Sequence, residues 1–373
     1  TISIRDITIQ RRENDLVAAS FGRGIFILDD ITPIRNFDDS ILTKETTLFP
    51  IKNALWYSPN SRVGSQGDNE YSADNPPFGA IFTYYMSNKV KSLKDERKQR
   101  EKTNTNFPGW DALEAENRQQ GPEILLIIKD ANGNVVNTVK GANKKGFNRV
   151  NWQLTYPNKA GERLQASPRG RFGRGGVMAS PGDYTVTIVK RIDGINTVLE
   201  GPKPFKVVPM YDGALKRKSF AEMDAFRKET FAFQQDLTAT NVALSRNIQR
   251  VAAMERALNK AEKPNDNLFK RINDARLVLL DIDKELNGDD TKGEIGERSN
   301  PRASEGNSLG WRALGNTYGP TDEHKAMLNR VKSQLAKVKS KLRDVLNNTL
   351  PQIERELKNT GAPWVEGQGL KND

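Results

Sequence analysis

The sequence predicts a multidomain α+β chain: a short three-stranded meander, an immunoglobulin-like β-sandwich, and a helical hairpin or bundle of three long helices. Three observations carry this. Apolar residues alternate in short runs between turn-forming residues up to about residue 210. They then recur at three- and four-residue steps to the end. At 373 residues, 36% hydrophobic and 28% charged, the chain is also too long for one compact unit.

Residues 1–30 read as three strands: Ile2–Ile4 with Ile7–Ile9, then Leu16–Ala19, then Ile25–Leu28. Arg12–Asp15 and Phe21–Gly24 separate them, both with residues that tolerate tight turns. A lone meander is too small to be stable, so it needs a neighbour. Residues 31–75 carry Pro33, Pro50, Pro59, Gly64 and Gly67 and read as an extended linker. Strand signals follow at Ala80–Tyr85, Ile124–Lys129, Val135–Val139, Arg149–Leu154, Tyr184–Val189 and Phe205–Val208, the spacing of a sandwich. Asp130-Ala131-Asn132-Gly133-Asn134 predicts a hairpin turn, because Asn and Gly accept positive φ. The charged stretch 89–120 predicts two short helices inserted into that region.

Beyond residue 214, Phe220, Met223, Phe226, Phe233, Leu237, Leu244, Ile248, Val251, Met254 and Leu258 lie on one helical stripe that Pro264 is expected to end. A second helix is predicted over 266–286, stopped by Asn287-Gly288. A third spans 322–358, with Thr321 as N-cap, Gly361 after its end, and Pro351 kinking or restarting it. The predicted domains are 1–45, 46–210 and 211–373, the last with a long loop at 287–320.

RENDLVAASFGRGIFILDDITPIR at 12–35 is similar to the last blade of the BNR-repeat, sortilin-like β-propeller proteins of bacteria. The resemblance continues through NPPFGAIFTYY (75–85), PGWDALEAENRQQGPEILLIIKDANGNVV (108–136), GFNRVNWQLTYP (146–157), SPGDYTV (180–186), TYGPTDEH (317–324) and LPQIERELKNTGAPW (350–364). It covers nearly the whole chain. What the resemblance implies is an extracytoplasmic location and a final propeller blade whose partner is the upstream propeller. Members often carry the label glycosyl hydrolase by analogy. The strand-like pattern from Thr1, without a charged or apolar leader, reads as internal to a longer protein.

The candidate chemistry is thin. With 0 Cys and a single histidine, His324, neither a disulfide framework nor a common zinc site is available. His324 falls in a first helical turn and reads as structural. No Gly-x-Ser-x-Gly elbow and no Gly-x-x-x-x-Gly-Lys-Ser/Thr loop occurs, which sets aside the serine-hydrolase and P-loop classes. Glycoside hydrolysis needs two carboxylates roughly 5 or 6.5–9.5 Å apart across a sugar. Asp29 and Asp30 are the best-placed acids, with turn capping the preferred reading and a hydrolytic site, if the parent has one, expected upstream. Asp68, Glu70 and Asp74 offer oxygen ligands for Ca²⁺ without the EF-hand pattern, so a polar loop is preferred and no cofactor is expected. Arg169, Arg171 and Arg174 form an Arg/Gly tract that suits a polyanion, yet its place between two strands favours a surface loop. Trp110, Trp152, Trp311 and Trp364 are read as packing residues, Trp152 as core and Trp311 and Trp364 as anchors, with glycan contact at Trp110 the alternative.

The net charge of +11 favours an anionic partner only if the basic residues share one face, and here they interleave with acids. Nucleic acid is therefore disfavoured, and no run is apolar enough to span a membrane. The functional expectation is a non-catalytic scaffold and interaction region, with the propeller, another secreted or outer-membrane protein, or a glycan as partner. Part of a glycan-active hydrolase whose catalytic site lies mainly upstream is one alternative, and polyanion binding through the Arg/Gly tract is another.

Overall fold

The computed structural model describes residues 3–59, 75–104, 106–157, 159, 164, 177–297 and 313–369. It is a mixed α/β structure with several sheets and a C-terminal helical region, and it divides into two compact units. Thr1–Pro157 with Met178–Ala214 holds every strand among the described residues, so the expected 1–45 and 46–210 segments share it; the long helices lie in the other, from Leu215 on.

The first unit opens with the meander: β1 (Ile4–Gln10), β2 (Asp15–Ser20) and β3 (Gly24–Leu28) form a three-stranded antiparallel sheet in sequence order. The stretch expected as an extended linker with some packing carries two short helices, α1 (Thr32–Arg35) and α2 (Asp39–Thr43), and two short strands, β4 (Thr46–Leu48) and β5 (Ala54–Trp56). Asp38 starts α2 by accepting the Ser40 amide, which local turn chemistry favours. β4 pairs with β6 (Ala80–Met86), and β6 pairs with β9 (Gly146–Trp152). The larger sheet has the order β5-β11-β10-β7-β8, with β7 (Glu123–Asp130), β8 (Val135–Gly141), β10 (Gly182–Ile192) and β11 (Ile195–Pro209).

Two strand expectations need correction. The 149–154 strand starts three residues early and stops at Trp152, and Leu154 leaves it with φ 51 while staying buried. Phe205–Val208 is only the end of a 15-residue strand whose first half is too polar and exposed to show an alternating pattern. The sheet is also mixed, because β5 runs parallel to β11 at Val207–Pro209. The Asp130–Asn134 turn forms as its residues dictate: Asp130 and Asn134 close it through a 3.0 Å amide bond, and Gly133 supplies φ 80.

The core of this unit follows from period-two burial. In β6, Ala80, Phe82, Tyr84 and Met86 are fully buried, and Phe82 meets Phe205 of β11 edge-to-face at 5.4 Å. Trp152, 1% exposed as expected of a core residue, packs on Tyr184 at 5.3 Å and gives its indole N–H to the Thr155 carbonyl. Gly79 sits so close to this centre that a Cβ there would lie 1.9 Å from the Trp152 carbonyl oxygen. Within the charged insertion, α3 (Leu93–Arg100) and α4 (Trp110–Arg118) are the two short helices expected.

In the second unit α5 (Phe220–Leu258) is 39 residues long and starts on Ser219, whose hydroxyl accepts the Glu222 amide. It stops at Asn259, five residues before Pro264, which lies in the turn to α6 rather than ending the helix. α6 (Asp266–Leu286) and its Asn287-Gly288 stop match the expectation, Gly288 taking φ 120. A short α7 (Asp290–Glu294) follows. The third long helix has three parts: α8 (Asp322–Asp344), a π-helical turn Val345–Thr349, and α9 (Leu350–Asn359). Thr321 caps α8, and Gly361 follows α9 with φ 72.

Ion pairs give the helices' directions. Glu222–Lys325, Glu229–Lys332 and Asp236–Lys339 recur every seven residues on both α5 and α8, each pair 103 apart in sequence, so these two helices run parallel. Glu285–Lys341 and Arg271–Glu356 run in opposite order, so α6 is antiparallel to α8 and α9. The next pair along α5, Arg250–Glu354, is 104 apart. From Asp236 to Arg250 is 14 residues; from Lys339 to Glu354 is 15. The π turn lies in that interval and absorbs the additional residue.

The core shows the same step. Leu328, Val331, Leu335, Val338, Leu342 and Val345 are buried at alternating steps of three and four, then the next is Leu350, five on, before Ile353 and Leu357 resume the rhythm. Pro351 adds a local reason: it has no amide for the Asn347 carbonyl, and the Leu350 amide reaches back to Val345 instead. Val365 closes this core, whereas Trp364 beside it is 51% exposed, so the expected Trp364 anchor is replaced by its smaller neighbour.

Candidate interaction surface

The meander holds the largest group of apolar side chains that the described residues leave in water. Residues opposite each other in register project to one face. Ile7, Ala18 and Phe26 form one row, and Ile9, Leu16 and Leu28 the next, so these two rows make one face apolar. On the other face the rows are Asp6, Ala19 and Ile25, and Thr8, Val17 and Ile27. The exposures are those of surface residues: Ile7 59%, Ile25 69%, Phe26 45% and Ile27 61%. A sheet with one apolar face is half of a sandwich; one with apolar residues on both faces fits between two layers.

This sheet is built, not merely unpacked, because one end is firmly tied. Asn14 gives its side-chain amide to the Thr32 hydroxyl at 2.8 Å and accepts the Ile31 amide on its carbonyl at 2.9 Å. Asp15 accepts the Asp30 amide at 2.9 Å. Lys52 pairs with Glu13, whose carboxyl that hydrogen bond holds below the ordinary glutamate range. Arg149 of β9 donates to the carbonyls of Asp29 at 3.1 Å and Asp30 at 3.3 Å. All of these lie at the β1–β2 turn and the exit of β3, leaving both faces clear.

The acid pair highlighted from sequence sits in that exit. Asp30 takes φ 48 and accepts the Thr32 amide at 3.1 Å, while the backbone carbonyls of both residues receive Arg149. His324 accepts the Thr321 amide on Nδ1 at 3.1 Å and gives its own amide to the Thr321 hydroxyl, a reciprocal cap of α8. Asp68, Glu70, Asp74, Arg169, Arg171, Arg174 and Trp311 lie outside the described residues. Among the described residues no group of three or more His, Asp or Glu side chains is placed to hold a metal ion, and no helix is long and apolar enough to cross a membrane.

Trp110 departs from the expectation that the tryptophans pack inside. It is 78% exposed at the start of α4 and meets Phe107, itself exposed, edge-to-face at 5.1 Å. The helix pair beneath it is braced. Arg97 donates to both Glu116 oxygens at 2.7 and 3.0 Å, which holds the Glu116 carboxyl below its ordinary range. Lys89 and the Ser92 cap pull Asp95 down to about 2. Asn143 ties the segment to the sheets by giving its side-chain amide to the Val90 carbonyl and accepting the Val90 amide. Sequence reasoning missed Arg149 and the Arg97–Glu116 fork, since both join residues far apart in the chain. Their only trace was the charge-rich stretch itself.

No protein-family model, curated protein or solved structure matches this chain.

Proposed function

We propose that the chain is a scaffold and interaction region of a larger extracytoplasmic β-propeller protein. In this reading the meander is a final blade, the two further sheets form an immunoglobulin-like sandwich, and the three long helices form a bundle. The observation that carries it is the apolar, solvent-facing sheet β1–β3, tied at one end and open on both faces. The resemblance of residues 12–35 to a sortilin-like blade supports the same reading. The scaffold role is supported by how the described carboxylates are used: Asp15, Asp30, Asp38 and Asp130 accept backbone amides, and Glu116, Glu222 and Asp289 pair with cations.

The test is surface chemistry on the isolated chain. A dye that fluoresces on apolar surface should bind it, and Ile7→Ser with Phe26→Ser on one face together with Ile25→Ser and Ile27→Ser on the other should remove that binding while the helical transition is unchanged. Dye binding that survives all four substitutions places the open surface elsewhere and refutes the reading. A second reading, contact with a glycan, draws support from the exposed Trp110 and Phe107. Retention on a polysaccharide column that Trp110→Ala abolishes favours it, and retention unaffected by the change ends it.

A further inference from the structure

The inserted helices α3 and α4 form a hairpin with a base and a tip. Gln119, just past α4, accepts the Leu93 amide at the start of α3 at 2.8 Å, and Arg97 bonds Glu116 about one turn further along. The two helices are therefore antiparallel, with Leu93 and Gln119 at one end and Arg100 and Trp110 at the other. The first end is the base. Asn143 holds Val90 there through bonds of 2.8 and 2.9 Å, and Asp193, in the β10–β11 turn, accepts the Gln120 amide at 2.8 Å. Neither helix has a buried residue, so the pair stands off the sheets that hold its base.

The tip carries the exposed aromatic pair, Phe107 at 61% and Trp110 at 78%. Lys98, Arg100 and Lys102 lie at the same end, all exposed and none with a carboxylate partner among the described residues. The neighbouring acids are spent on other cations: Asp95 pairs with Lys89, and Glu101 and Glu116 with Arg97. No acid occurs from 102 to 110, and Asp111 is the one acid in the first turn of α4. Pairing within the hairpin thus leaves an excess of cations beside the aromatics.

Open aromatic rings next to unpaired cations match a surface that is anionic at its face and apolar just beneath. A bilayer of anionic phospholipids has that layering: indole and phenyl rings settle at headgroup level, and lysine and arginine are drawn to the phosphates. A sugar ring stacks on a flat aromatic face, and the two rings here meet at 68°, edge to face, so they offer it no joint platform.

We propose that the tip of the α3–α4 hairpin docks on the surface of an anionic phospholipid bilayer, with Phe107 and Trp110 in the interface and Lys98, Arg100 and Lys102 against the headgroups. The contact is peripheral, since no helix among the described residues is long and apolar enough to cross a membrane. It does not rest on the meander, whose role has its own test.

Co-sedimentation of the full chain with vesicles tests it. One set is phosphatidylcholine alone, and the other contains about one third phosphatidylglycerol. The chain should bind the second set and not the first, more weakly as salt rises. Phe107→Ser with Trp110→Ser should weaken binding about tenfold or more, and so should Lys98→Gln, Arg100→Gln and Lys102→Gln together. These side chains are exposed, so far-UV circular dichroism should be unchanged. The net charge of +11 calls for a control: Arg256→Gln, Lys260→Gln and Lys263→Gln remove equal charge from exposed positions of the helical unit. They should leave binding within about twofold. Equal losses from the two triple changes, binding that ignores the loss of the aromatics, or no binding to either set overturns the proposal. So does retention on a neutral polysaccharide that Phe107→Ser with Trp110→Ser abolishes while vesicle binding persists, which gives the aromatic pair to a glycan.

Discussion

Deleting Asn347 together with Pro351→Ala should leave the stability of the helical unit nearly unchanged, whereas deleting Ser340 should lower it strongly. The first change removes the additional residue of the π turn and the proline beside it, so Val345 and Leu350 become four apart and the core steps of three and four run unbroken. Arg250 still meets Glu354, because 14 residues on α5 then face 14 on the partner. The second change falls in regular α-helix, where one residue is about 100° of rotation and 1.5 Å of rise. Even if the π turn relaxes to take up the slack, Leu342 and Val345, both 4% exposed, rotate out of the core. At about 1.5–3 kcal/mol for each such side chain the loss is about 3–6 kcal/mol, against a usual total of about 5–15 kcal/mol. For a unit of this size that is a fall of roughly 6–24 °C in Tm, read by far-UV circular dichroism of the helical transition. The double change should stay within a few degrees of the parent. Equal losses from the two changes would refute the idea that the π turn absorbs a register mismatch.

Three other predictions follow from the same structure. Gly79→Ala forces a Cβ against the Trp152 backbone at a φ of +113, so it should cost about 3 kcal/mol or more, seen as a lower midpoint in denaturant unfolding of the strand-rich unit. Lys325 lowers Glu222, Arg97 lowers Glu116 and Lys140 lowers Glu123 from 4.5, and Lys89 and Lys284 bring Asp95 and Asp289 from 3.8 to about 2. Their depressed folded values mean that stability is fully present above about pH 4.5 and is lost as pH falls toward 2, so a thermal scan against pH should be flat from neutral to about pH 5 and decline below it. Arg149→Ala removes the donor to Asp29 and Asp30, and amide exchange in 4–28 should quicken while β7 and β10 hold.

What sequence reading could reach is set by how local each element's causes are. α6 and its Asn287-Gly288 stop depend on neighbours in the chain, and so does the Asp130–Asn134 turn; all were legible. β4 and β5 are three residues each and exist only through distant partners, Tyr84–Met86 and Val207–Pro209, so no periodicity announces them. Pro264 misled because a proline marks where a helix cannot continue, and α5 had already stopped at Asn259. Trp364 misled because size was taken for burial, whereas its neighbour Val365 fits the core. The five-residue step from Val345 to Leu350 was visible in the apolar pattern, but its meaning appears only against the regular α5 beside it. For the interaction surface, the need of the meander for a neighbour was readable from its size; which of its residues share a face needed the register.

Intact and native mass of the chain as it occurs in its source tests the central proposal most directly. The account predicts a species well above 41.8 kDa, a longer polypeptide or a complex, whose additional part is strand-rich and protects residues 16–28 from exchange. A lone 41.8 kDa species with Ile7 and Phe26 still open to solvent would contradict it.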